Sequence, residues 1–127
     1  MTVDLWMLLA SVGLTFALIL VASTPGILVD PIAALGNRDK AIDTGPWAAR
    51  AKRTAENMKE NLPLFAALVL IAHVSGQADA TSALGAQIFV GARLVHAVLY
   101  LAGVSVLRTL SWVVSLIGMG MIVAAIF

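Results

Sequence analysis

The eighteen residues from Leu110 to Phe127, LSWVVSLIGMGMIVAAIF, carry no charge. At 1.5 Å per residue they span about 27 Å, close to the hydrocarbon core of a bilayer at roughly 30 Å. In hydrocarbon a helix satisfies its backbone polar groups within its own segment, which an open strand or a loop does not. The stretch predicts a membrane helix over 109–127. Two further runs read the same way. Leu5 to Val29 is long enough to cross, and no Lys or Arg precedes it, so the basic front of a cleaved signal peptide is missing. It predicts a retained helix over 5–29, bent or ended near Pro25-Gly26. Ala83 to Val104 predicts a helix over 83–104, interrupted by Arg93 and His96. Composition agrees. The chain is 61% hydrophobic and 12% charged, where a soluble domain carries about 25% charge.

One segment resists this reading. Leu62 to Val74 is apolar apart from His73, but it covers only about 20 Å. To cross, its helix must begin near Trp47, giving a span over 47–74 whose first turns are strongly polar. That half reads RAKRTAENMKENLP from Arg50 to Pro63. Pro63 sits inside it and removes a backbone donor. The segment Asp30–Pro46, DPIAALGNRDKAIDTGP, is rich in Pro, Gly, Asn and Asp and predicts a loop. SGQADATS predicts a second loop over 75–82, and VSVLRT a tight third connection. The fold class expected is all-α: an integral membrane four-helix bundle in one domain over 1–127.

Four crossings put both termini on one side. Seven of the eight basic residues lie in the first loop, the start of the second helix and the third loop; the eighth is Arg93. The second loop and the termini carry no Lys or Arg side chain. The positive-inside rule then predicts cytoplasmic first and third loops and extracytoplasmic termini. No basic run is interleaved with aromatics, so nucleic acid is not an expected partner. There is no cysteine, which excludes disulfides and thiolate chemistry by the protein itself. With two histidines, His73 and His96, no zinc spacing exists.

Two polar helix faces carry the remaining chemistry. Arg53, Asn57 and Glu60 are spaced i, i+4, i+7 and share a face of the second helix, with Arg50 close by; Arg93, His96 and Tyr100 share a face of the third. Measured down from the outer ends, Glu60 lies about 21 Å and Asn57 about 26 Å deep, against about 15 Å for Arg93, 20 Å for His96 and 26 Å for Tyr100. The faces overlap in depth. An intramembrane charge faces the bundle interior and finds a partner. Spacing alone leaves two readings: a structural tie, such as Arg93 to Glu60, and a ligand site. Lys52, Glu56 and Lys59 point away and read as a solvated interfacial face. Trp6, Trp47 and Trp112 read as belt residues, a reading that also covers Tyr100.

RAKRTAENMKENLPLF resembles the second-helix signature of the MAPEG family, membrane-associated proteins in eicosanoid and glutathione metabolism: R-x-x-R-x-x-x-N-x-x-E and a proline, met by Arg50, Arg53, Asn57, Glu60 and Pro63. ARLVHAVLYLAG resembles the third-helix signature through Arg93, His96 and Tyr100. The likeness covers nearly the whole chain, and the cysteine-free, short-looped form resembles bacterial members, which points to a bacterial inner membrane.

The resemblance implies a homotrimer that binds glutathione between subunits in the cytoplasmic half of the membrane. Arg53, Asn57 and Glu60 would come from one subunit, and Arg93, His96 and Tyr100 from its neighbour or the cleft wall. Arg38, in GNRDK, matches a basic residue near the cofactor. Arginines suit the carboxylates of glutathione and Glu60 its ammonium. Arg108 matches the arginine that stabilises the thiolate, with Tyr100 as a second catalytic residue. Glu56 departs from the pattern: its position is basic in the prostaglandin-synthase type, and a carboxylate there weakens anion binding. Three hypotheses follow. The first is a glutathione-dependent transferase or peroxidase, or one using another low-molecular-weight thiol, acting on a lipophilic electrophile from the bilayer. The second is a non-catalytic lipid-binding or scaffold protein of the same fold, and the third a purely structural trimer.

Overall fold

The computed structural model describes residues 1–127 and is all-helical: α1 Val3–Val29, α2 Pro31–Leu35, α3 Gly45–Val74, α4 Ala80–Ala102 and α5 Val106–Ile126. Five helices stand where four were expected. The extra one, α2, lies inside the segment read as a loop. Its start signal is Asp30-Pro31: the Asp30 carboxylate accepts from Ala33 N at 2.9 Å, and Pro31 occupies the first turn, where its missing N–H costs nothing. Gly36 then stops it after five residues.

Other boundaries moved for similar reasons. Helix α4 begins at Ala80, three residues before the expected start, because Asp79 caps it. The Asp79 carboxylate accepts from Thr81 N at 2.8 Å and Ser82 N at 2.9 Å, and the Ser82 hydroxyl accepts from Asp79 N at 3.0 Å. This reciprocal box satisfies the free donors of the first turn. The same helix stops at Ala102 because Gly103 turns left-handed, φ 81°, a conformation glycine adopts without steric cost. Helix α5 begins at Val106, earlier than the expected 109. Helix α1 does not end at Pro25 but runs on to Val29. Ser23 and Thr24 just before the proline donate their hydroxyls to Ile19 O and Leu20 O, each at 2.8 Å. Helix α3 likewise continues through Pro63.

Helix α5 packs along α4, and α1 packs on α3 and α4. Buried positions of α3, Ala48, Ala51, Ala55, Met58, Asn61, Phe65, Val69 and Ala72, recur at intervals of three and four, the seam of an antiparallel bundle. Phe65 stacks on Phe89 of α4 with ring centroids 3.9 Å apart. Helices α4 and α5 meet at two glycines. A Cβ on Gly118 would lie 2.6 Å from Gly85 O and 2.8 Å from Phe89 N, and one on Gly85 would lie 2.6 Å from Gly118 O. Only hydrogen fits on both sides, the small-residue contact by which membrane helices approach closely.

The outside is greasier than a water-soluble surface allows. Phe16, Leu20 and Leu28 of α1 and Leu94, Val98 and Ile117 of α4 and α5 are all exposed. Helices α1, α4 and α5 are each long and apolar enough to cross a membrane. At 30 residues α3 is longer than any of them, but its first half is charged.

Candidate functional site

The site is assembled from three helices, α3, α4 and α5. Arg93, on α4, is 1% exposed. Its Nη2 donates to Asn57 Oδ1 on α3 at 2.7 Å, and its Nε to the sulfur of Met58 at 3.4 Å. Its Nη1 is buried without a partner. The sequence left Glu60 as one possible tie for Arg93; the partner is Asn57 instead. An uncharged amide accepts the guanidinium, so the pair keeps its positive charge.

One turn along α4, His96 is buried, with Nδ1 unpartnered. Its ring meets Tyr100 edge-on, centroids 5.6 Å apart. The Cζ of Arg108, in the first turn of α5, sits 4.5 Å from the Tyr100 ring centroid. A cation over an aromatic face at this distance is attracted by the ring quadrupole, and the N–H groups at the guanidinium rim stay available for an anion. Asn57, His96, Tyr100 and Arg108, with Thr109 and Trp112, line a cleft of about 280 Å³. No carboxylate lines it. The arrangement suits an anion: one guanidinium at the wall, a second just behind Asn57, and hydroxyl and amide groups between them.

Thr109 and Trp112 were not singled out for this role in the sequence. Trp112 read as a belt residue, but it lines the cleft. Arg50 has a further use that no spacing reveals. Its Nε donates to Leu101 O at 3.3 Å, filling one of the carbonyls that the end of α4 leaves open.

The other predicted site residues lie elsewhere in the subunit. Arg53 and Glu60 are exposed and do not line the cleft. They share the α3 stripe of Asn57, on the outer surface of the bundle. Arg38 lines a separate, larger cavity between α1 and α3.

The family model for the MAPEG family matches residues 5–127, nearly the whole chain. The chain belongs to the MAPEG family. Neither a curated protein nor a solved structure matches it. In this MAPEG chain both signature stretches lie beside the cleft: Asn57 comes from the α3 motif, and Arg93, His96 and Tyr100 come from the α4 motif.

Proposed function

We propose that the chain is a membrane-embedded glutathione-dependent transferase or peroxidase acting on lipophilic electrophiles. The observation that carries this reading is Arg108 over Tyr100 at the mouth of a cleft with no carboxylate. A free thiol has a pKa near 8.5, so about one in thirty is ionised at pH 7; a guanidinium beside it raises that fraction. The thiolate attacks the electrophilic carbon, or one oxygen of a peroxide, and the leaving group departs with its electron pair. Arg108 holds the sulfur's charge before attack, and Tyr100 offers its hydroxyl as a second donor.

Arg53 and Glu60 fit the proposal only in an assembly. Both are exposed beside Asn57, where Arg53 suits a carboxylate of glutathione and Glu60 its ammonium. A neighbouring subunit packed on this face would bring its own Arg108 and Tyr100 to the same ligand, so the proposal includes a homotrimer. The electrophile dissolves in the lipid and enters sideways. The charge asymmetry supports four crossings with both termini extracytoplasmic, and the resemblance to bacterial members supports a bacterial inner membrane.

The Arg93–Asn57 bond supports a second reading, a non-catalytic lipid-binding or scaffold protein of the same fold. The amide oxygen otherwise open to glutathione is already engaged. Thermal unfolding of the detergent-purified protein separates the two. Glutathione at a hundred times its Kd should stabilise by about 2.7 kcal/mol. A different low-molecular-weight thiol stabilising instead would reassign the co-substrate. No shift with any thiol, beside a shift with lipid, would establish the second reading.

A further inference from the structure

A second cavity is larger than the cleft. It lies between the last turns of α1, the Gly36–Thr44 loop and the first half of α3, with a volume of about 740 Å³. It opens on the far side of α3: Lys59, on its rim, follows Asn57 by two residues, about 200° round the helix. One part of its lining is apolar, built from Ile19, Ala22 and Gly26 of α1 and Ala55 of α3. Its rim is basic. Arg38, Lys40, Lys52 and Lys59 line it, against one carboxylate, Glu56.

The rim is shaped as well as charged. Arg38 has a positive φ of 58°, a left-handed conformation uncommon for a long side chain and one that persists where the surroundings hold it. Here the hold is a hydrogen bond from Arg38 Nε to Ala34 O at 3.2 Å. That bond occupies Nε and leaves both terminal Nη groups for a ligand. Two of the nearby acids are engaged elsewhere: Asp30 and Asp43 accept from the backbone N–H groups of Ala33 and Gly45.

An occupant must therefore be anionic at one end and apolar along the rest. It must also reach the cavity where a membrane-length apolar helix meets a basic loop. The geometry points to an anionic phospholipid of the adjoining leaflet, its phosphate on Arg38, Lys40, Lys52 and Lys59 and its acyl chains along Ile19 and Ala22 of α1. Basic clusters beside a membrane helix attract anionic headgroups, each cation contributing roughly fivefold in affinity. The site is independent of the thiol cleft and stands even if no thiol binds.

Native mass spectrometry of the protein in neutral detergent, titrated with phosphatidylglycerol, phosphatidylcholine or glycerol 3-phosphate, tests this. Phosphatidylglycerol should be retained at one molecule per chain, at least tenfold more tightly than phosphatidylcholine. The triple variant Lys40→Gln, Lys52→Gln, Lys59→Gln should lose about a hundredfold in affinity. Glu56→Gln removes the opposing charge and should gain about fivefold, an outcome that poor folding cannot imitate. Arg53→Gln, off the cavity, should leave lipid binding unchanged. Equal binding of the two lipids, no gain from Glu56→Gln, or an equal loss from Arg53→Gln would overturn the site. Glycerol 3-phosphate binding as tightly as the lipid would make it a soluble-anion site and overturn the lipid assignment.

Discussion

Gly118→Ala should unfold the protein at a lower temperature than Gly120→Ala, although both put the same methyl group on the same helix. At Gly120 an added Cβ meets nothing within 4 Å, so the substitution contributes only the helix propensity of alanine, a gain of up to about 1 kcal/mol. At Gly118 the Cβ would lie 2.6 Å from Gly85 O and 2.8 Å from Phe89 N. Both are backbone atoms of α4, which no rotamer change can move. The helices must separate by most of an ångström, loosening the contacts of Ile122 and Phe89, both fully buried. Overpacking of this kind costs roughly 1–3 kcal/mol. For a domain of this size that corresponds to a fall of about 3–10 °C. The measurement is thermal unfolding in one detergent, followed by circular dichroism, with the two variants and the parent side by side. If Gly118→Ala melts at or above Gly120→Ala, α4 and α5 do not meet through Gly85 and Gly118, and the placement of Arg108 over Tyr100, which rests on that packing, loses its support.

Asn57→Ala should cost about 1.5–3 kcal/mol, because it leaves a buried guanidinium without its acceptor; Arg93→Met, which removes the charge and keeps the volume, should cost less, and the reverse order in unfolding experiments would refute the assigned bond. Arg108→Ala should move the titration of bound thiolate, read by its ultraviolet absorbance, to higher pH and lower turnover, with affinity changed less; an unchanged titration would pass the role to Tyr100. Glu60→Gln should instead weaken glutathione binding by roughly ten- to a hundredfold with the thiolate titration unmoved. Native mass spectrometry should show a trimer, and a monomer would leave Arg53 and Glu60 without a shared ligand. A reporter fused after Phe127 should be active only in an extracytoplasmic format; cytoplasmic activity would reverse the orientation.

The sequence by itself determined that the chain is helical and that it belongs in a membrane. Uncharged runs such as Leu110–Phe127 admit no other backbone that satisfies its own polar groups in hydrocarbon. It also determined which polar residues matter, because Arg93 and His96 are expensive inside an apolar run and must face inward. The short helix α2 and the early start of α4 were legible too, in Asp30-Pro31 and in Asp79 with Ser82, but these signals lie in stretches whose composition says loop. Only tertiary structure decided who partners whom. Depth estimates put Glu60 level with His96 and set Asn57 about two turns from Arg93, yet Arg93 reaches Asn57. Rise per residue fixes height along a helix, while rotation and crossing angle fix contact, and between α3 and α4 those are set by packing such as the stack of Phe65 on Phe89. Trp112, which read as a belt residue, lines the cleft. Arg38 lies outside it, lining the cavity on the opposite side of α3 and bonded to Ala34 O.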